Sequence, residues 1–363
     1  MNLLNLWNSI ESYLFPVLET SLEEELSIKE QEFVRVCSVS ELENHIMHLN
    51  WQGIGRKPKD RLSILKAFVA KAIYNLNTTR GLIDYLNSSP TLRRLCGWES
   101  KSSIPHESKF SRIFSQISDL NLCEQIHKSM VIKHCSDHIV GHLSRDSTSI
   151  DGREKAVPKL LLSEEKPIRK RGRPKKGEEP PKKVRLVEIQ PKNALEDNLK
   201  MLPISCNKGT KKNSNGYKVS WKGYKLHVDC IDGDIPVSAI LTSASLHDSQ
   251  AAIPLAQMSN ERVTSLYDLM DAAYDSPEIH QFSRELGHIP IIDHNKRRGE
   301  KKIFDYFQKR RYNERSTAER VNSNLKDNYG GRNIRVKGHK KVLTHLMFGI
   351  IAITANQLFK LVL

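Results

Sequence analysis

Residues 223–245, GYKLHVDC-IDGD-IPVSAILTSAS, decide how this chain folds. Two β-rich runs flank Asp232-Gly233, a pair that tolerates left-handed backbone and so signals a hairpin. Working outward, HLSRDSTSI (His142–Ile150) reads as a preceding strand, with Asp146 at its end and turn residues Asp151-Gly152 after it. Beyond the hairpin a helix starts near Ser249. VTSLYDLM is then a buried-type strand ending at Asp271. Ser276-Pro277-Glu278 opens a second helix, HIPIID (288–293) is another strand, and the last helices cover roughly 309–328 and 339–361. The order β, hairpin, α, β, α, β, α is a mixed α/β layer fold, with a mixed sheet flanked by helices.

Upstream the pattern changes period. Residues 1–55 mix apolar residues with acids such as Glu23, Glu24 and Glu25 and read as helical. From about Pro58, Leu62, Leu65, Phe68/Val69, Ala72/Ile73 and Leu76 recur at three- and four-residue intervals, the stripe of an amphipathic helix. A short helix follows, with Ser89 as N-cap, Pro90 at its first position and Gly97 after its end. A third carries Phe110, Ile113, Phe114 and Ile117 on one face, with Lys109 and Arg112 off it. Short helices ending in a basic one suit a helix-turn-helix-like DNA-binding module, and they suit plain helical packing equally. The expected organisation is an all-α N-terminal domain over 1–135 and an α/β catalytic domain over 136–363. Residues 155–216, rich in Lys, Pro, Asn and Gly, are expected to be a basic insertion or mobile loop after the first strand.

Composition narrows the partners. Of 363 residues 38% are hydrophobic and 27% charged, the mixture of an ordinary globular protein. The six cysteines show no C-x-x-C pair, against a disulfide framework or zinc ribbon. The opening MNLLNLWNSIESYLF does not read as a signal peptide. The apolar run Val342–Leu363 is interrupted by His345, Asn356, Gln357 and Lys360, so a core helix is expected rather than a membrane span. Net charge is +15, and two stretches account for all of it: +8 between Lys166 and Arg185, and +7 between Lys296 and Lys326. Charge so concentrated points to a polyanion, and soluble character favours nucleic acid over membrane.

Three carboxylates stand out by position. Asp146 and Asp271 end strands, where open α/β sheets place their sites. Glu319 lies on a helix whose geometry follows from about 100° per residue: Tyr312, Arg315, Glu319 and Lys326 fall within an arc of about 60°. Ala318, Val321 and Leu325 form the opposing, packing face. Taken alone, that polar stripe is also what a solvated face with an Arg315–Glu319 pair looks like. Asp275 and Asp248 precede helices and read first as caps, Asp248 with a metal-site role as its alternative. Asp151 and Asp232 read as turn residues, and His134 and His138, near Cys123 and Cys135, as a helix face rather than a zinc site.

The spacing Tyr312-x2-Arg315-x3-Glu319-x6-Lys326 resembles the Y-R-E-K signature of bacterial insertion-sequence transposases of the DDE class. The likeness extends to RDSTSIDG around Asp146, LTSASLHDSQ around Asp248 and DAAYDSPEI around Asp271. LRRLCGW with IPHESKFSRIF resembles the N-terminal domain common in the group. In all it spans about residues 58–363. It departs from the family at Ala273, where a glycine is usual.

The resemblance implies a ribonuclease-H-like catalytic core. In it Asp146 bridges two Mg²⁺ ions, with Mn²⁺ as a substitute, and Asp271 and Glu319 hold one ion each. Two ions about 3.5–4 Å apart stabilise both the attacking and the leaving oxygen of phosphodiester chemistry. Arg315 and Lys326 then hold flanking phosphates, with Tyr312 as donor or stacking surface. The implied partners are double-stranded DNA, both element ends and target, and a second copy of the chain in a homodimer. The implied setting is the bacterial cytoplasm, associated with the nucleoid and away from membrane. Lys170–Lys176 (KRGRPKK) resembles an AT-hook core in which Arg171 and Arg173 enter the minor groove; a nonspecific basic linker reads the same residues. A decayed, noncatalytic DNA-binding copy and a ribonuclease-H-like nuclease that cuts without joining stand as the other readings.

Overall fold

In the computed structural model residues 224–243 pair as an antiparallel hairpin within one six-stranded sheet. The structure describes residues 2–46, 61–157, 184–212, 215–295 and 303–362. Six strands are found there: β1 Ile139–Asp151, β2 Asn207–Lys212, β3 Lys218–Ile231, β4 Ile235–Ser243, β5 Thr264–Met270 and β6 Ile289–Ile292. β3 and β4 pair antiparallel across a turn in which Gly233 and Asp234 take φ of +82° and +60°, the left-handed backbone that favours Gly, Asn and Asp. β1 pairs antiparallel with β3 and parallel with β5, and β6 extends the parallel side. β2 adds to the first half of β3. At Gly223 (φ +152°) a side chain would collide with the Ile150 carbonyl, so glycine lets β1 and β3 close up.

Helices cover both faces of the mixed sheet. Ser249–Asn260 packs on β3 and β4 from one side, and Ser316–Asn328 lies over β1 and β3 from the other. The helix His339–Lys360 also packs on β4, which explains why every residue of β4 is buried and why its sequence runs apolar instead of alternating. That helix is the one among the described residues long and apolar enough to cross a membrane. It has 83% of its most apolar window buried in the protein, so the core takes its apolarity.

Every regular element described before β1 is a helix. Ile28–Ser40, Arg61–Ile73, Glu107–Asp119 and Leu122–Cys135 pack around His339–Lys360. Ser89 caps Pro90–Leu95 by accepting from the Leu92 N–H at 3.2 Å, and Gly97 follows with φ +102°. One hydrophobic cluster runs from Phe33 and Phe68 through Phe348 to Val228 and Val237, so helices and sheet share a core. Phe68 and Phe348 stack with ring centroids 5.7 Å apart.

Three expectations need correction. The stretch 155–216 is not loop throughout: Leu186–Ile189 and Leu195–Met201 are helical and Asn207–Lys212 is β2. Each element is too short to show a period; apolar residues anchor the two helices against Ser249–Asn260, and β2 is held by its pairing with β3. The insertion's basic centre, with Arg171 and Arg173, lies outside the described residues. The helix expected over 309–328 is two helices, Tyr306–Tyr312 and Ser316–Asn328, joined by a 3₁₀ turn at Asn313–Arg315. The first strand begins earlier than His142 and includes Asp151, which is paired with Gly223 rather than turning.

Candidate active site

The site is organised by strand alternation in β1. Arg145 is buried on one face, its guanidinium bidentate to Asp229 at 2.8 and 2.7 Å, and Asp229 accepts a third bond from the Ser259 hydroxyl at 2.7 Å. With Arg145 fixed, the next residue, Asp146, must face the other side, toward Ser316–Asn328. There Asn322 Nδ2 donates to Asp146 Oδ2 at 3.1 Å. The parallel register sets Ser144 beside Leu269, so Asp271, one residue past the end of β5, comes level with Asp146, which lies within β1 and not at its end as expected. Asp271 opens the 3₁₀ turn Ala272–Tyr274 and accepts from the Ala273 N–H at 2.9 Å. Ala273 is used through its backbone and has no left-handed φ, so its methyl costs the turn nothing.

Glu319 is brought in by the 3₁₀ turn. Ser144 Oγ donates to the Glu314 carbonyl at 3.0 Å, tying the start of the helix to β1. Glu319 is half exposed and pairs with Arg315 at 2.8 Å. The Arg315 guanidinium also sits 5.6 Å from the Tyr312 ring centroid, and Tyr312 packs on Phe304 at 5.0 Å.

The electrostatics show which charges share a space. Burial pushes the Asp146 carboxyl up to about 6; the charges of Asp271 and Glu319 add to the rise, while the Ser147 N–H and Arg315 oppose it. Asp271 is raised as well, by burial and by Asp248, against the Ala273 N–H, Arg315 and His247. Lys326 is half-buried and shifted down, by burial first and then by Lys211 and Arg332, with Asp151 and Asp146 opposing. The fold therefore gathers Asp146, Asp271, Glu319, Tyr312, Arg315 and Lys326. Lys109 and Arg112 stand apart on Glu107–Asp119, where Arg112 Nε donates to the Ser108 carbonyl of its own helix.

Several participants escaped the sequence reading. Asn322 is one; at about 280° on the helical wheel it lies at the border between the polar and packing stripes, the only hint available. Its Oδ1 is buried with no hydrogen-bond partner. Asp248 does not cap its helix: its carboxylate takes the Lys225 ammonium at 2.8 Å. Burial pulls this carboxyl up, but His227, Lys225 and the Ser147 hydroxyl outweigh burial and leave it below its ordinary value. Asp275 likewise caps nothing; it meets His280 Nε2 at 3.1 Å and accepts from the Asn295 N–H at 2.9 Å.

The donors suit a hard divalent cation, being carboxylate oxygens whose negative charge is concentrated by burial and by one another. Among the described residues no three His, Cys, Asp or Glu side chains gather tightly enough to hold one ion together. A mixed sheet with helices on both faces, and acids converging from two adjacent strands and an overlying helix, is consistent with the ribonuclease-H-like class of α/β proteins. Residues 146–355, more than half the chain, match the family model described as the transposase DDE domain. The chain belongs to the DDE transposase family. Residues 20–116 match a second model, described as a transposase domain, and comparisons with curated proteins and with solved structures return no match. The family implies DNA binding, and its members generally use divalent metal ions.

Proposed function

We propose that the chain cleaves DNA at the ends of an insertion sequence and joins the 3′-hydroxyl ends to target DNA. The observation that carries this reading is the Asp146 carboxylate, half-buried in the fields of both Asp271 and Glu319. In the proposal Asp146, Asp271 and Glu319 would hold two Mg²⁺ ions between them. Bound there, the ions supply charge stabilisation for the attacking and leaving oxygens. Mn²⁺ would substitute.

The side chains do the rest by position. Arg315, held to Glu319, presents its guanidinium to a phosphate beside the acids. Lys326, two turns beyond Glu319, holds a neighbouring phosphate. Tyr312 lies next to Arg315 as a donor or stacking surface. Asn322 keeps the Asp146 carboxylate turned toward the site. Helices of the first 135 residues, with Lys109 and Arg112, and the basic centre of the insertion, with Arg171 and Arg173, add DNA affinity away from the acids. Pairing two element ends requires two copies, so the active form is a homodimer on double-stranded DNA, at the nucleoid of a bacterial cytoplasm.

The test is Asp146→Asn. It should abolish Mg²⁺- or Mn²⁺-dependent cleavage of a duplex carrying the element end while leaving binding nearly intact. Cleavage that survives the substitution removes Asp146 from the site and the mechanism with it.

A further inference from the structure

A cavity of about 420 Å³ opens where the N-terminal helices meet the rest of the chain, and none of Asp146, Asp271 or Glu319 lines it. Its volume is that of a small-ligand site, and such sites favour the junctions between parts of a fold. Lys71, on the helix Arg61–Ile73, stands in its wall with 8% of its surface exposed. It has no hydrogen bond or ion pair among the described residues. Burial pulls its ammonium down to about 8. A buried lysine without an acid costs stability, so packing gives no reason for it. The neighbouring His345 offers no counter-charge. Burial first and then Lys71 pull that imidazole down to about 4, and its Nε2–H donates to the Gly330 carbonyl at 3.0 Å.

The other walls add positive charge. Arg80, Arg153 and Arg335 line the cavity, and Glu107 is the one acid among its described lining residues. Glu107 is taken by Arg80 at 2.8 Å. Arg153 Nη1 donates to the Arg335 carbonyl at 3.1 Å, which holds these two exposed arginines together at the rim. The Arg335 guanidinium has no acid partner among the described residues. Four cations against one carboxylate leave +3, with His345 neutral. Thr79 and Arg80 line the same space and open the helix Thr79–Ser88, whose first N–H groups have no partner within it. Guanidiniums, a buried ammonium and helix N–H donors share one suitable ligand, an anion with several oxygens, and a phosphate group is that anion. A monoester reaches the buried Lys71 with its free end. A backbone phosphate of duplex DNA, tethered on both sides, stays at the rim.

We propose that this cavity binds a phosphate monoester of up to nucleotide size, with Lys71 as its buried contact and Arg153 and Arg335 on its outer oxygens. Its walls come from the N-terminal helices and from the chain after β1, so a bound anion stabilises their contact. The probes are inorganic phosphate and adenosine monophosphate, with adenosine as the phosphate-free control, titrated into the full chain by calorimetry and thermal melts. Both phosphate probes should bind saturably and raise the melting temperature, and adenosine should do neither. Lys71→Met should weaken the monophosphate about tenfold or more, the worth of one charge-assisted bond, while the ligand-free protein melts no lower. Arg335→Gln, at an exposed position, should weaken it severalfold and tests the site even where Lys71→Met fails to fold. At about pH 8 binding should take up a proton, because the anion recharges Lys71; the measured heat then varies with the buffer's ionisation enthalpy. Asp146→Asn protein should bind the probes equally well, so the result stands apart from the DNA-cleaving reading. No binding of either phosphate probe, equal binding of adenosine, or an affinity indifferent to both substitutions overturns the proposal. Displacement of the monophosphate by a duplex without terminal phosphates assigns these cations to the DNA backbone and overturns it too.

Discussion

Asn322 donates an amide N–H to Asp146 across 3.1 Å, from the helical turn that follows Glu319, while its own carbonyl oxygen is buried without a partner. An orphaned buried acceptor costs about 1–3 kcal/mol, so the amide is a poor choice for packing alone. Asn322→Leu removes the donor and the orphan together at similar volume. Stability should change by no more than about 1 kcal/mol, while divalent-metal affinity should fall about 10- to 100-fold, the usual cost of losing a group that orients a ligand. Calorimetric Mg²⁺ titration beside a thermal melt checks this; full metal affinity in the folded variant would return Asn322 to a packing role.

The Asp146 carboxyl has a sign that can be measured. Held at about 6 in the fold against about 3.9 unfolded, it binds its proton more tightly when folded. The metal-free protein should therefore lose stability as pH rises from about 4 through 6, by up to about 3 kcal/mol in all. A divalent ion competes with that proton, so stabilisation by Mg²⁺ should be large above about pH 6 and small at about pH 5. Denaturant melts across this range, with and without Mg²⁺, test both statements. Asp146→Asn should flatten both curves, and a metal effect that does not vary with pH would show that Asp146 holds no ion.

How much of this was legible in the sequence depends on how local each signal is. The hairpin was readable because Asp232-Gly233 and its flanking runs act within a few residues. Asp271 stood out because it directly follows a buried-type strand, and Glu319 because its spacing from Tyr312, Arg315 and Lys326 is a pattern along one stretch of chain; Asp146 stood out only through a strand read too short, since it lies in the middle of β1. The short elements within 186–212 were not, since neither a four-residue helix nor a six-residue strand completes a period. Asp248 and Asp275 were misread for a related reason. An acid before a helix looks the same whether its side chain caps that helix or reaches a distant partner, Lys225 for one and Asn295 for the other. The break at Asn313–Arg315 depends on Ser144, some 170 residues away in sequence, and no periodicity reports it.

Arg145 adjoins Asp146 in the chain yet faces the other side of β1, where it pairs with Asp229. Both it and Asp229 are almost fully buried, at 2% and 0% side-chain exposure. Removing one partner of such a pair leaves a lone buried charge and costs about 3–5 kcal/mol. Arg145→Met and Asp229→Leu should each destabilise by that amount, and the double variant should recover much of it. DNA affinity per folded molecule should stay unchanged throughout. Denaturant unfolding and anisotropy measure the two quantities, and a folded Arg145→Met protein with weakened DNA binding would contradict this assignment.

Lys326 divides a phosphate-binding face from an ordinary solvated one. Its ammonium is half-buried and feels Lys211 and Arg332 as like charges, with Asp146 and Asp151 on the other side. A lysine crowded by cations and shielded from water is costly to keep charged, unless an anion arrives between them. DNA phosphate is that anion in the proposed function, and each neutralised phosphate contributes about one unit to the salt slope of duplex binding. Lys326→Ala should lower that slope by about one and weaken binding alike for all sequences. Stability should hold or rise slightly, because a repelling charge has gone. Anisotropy titrations over a range of KCl read the slope directly, and an unchanged slope would place Lys326 on a face that never meets the backbone.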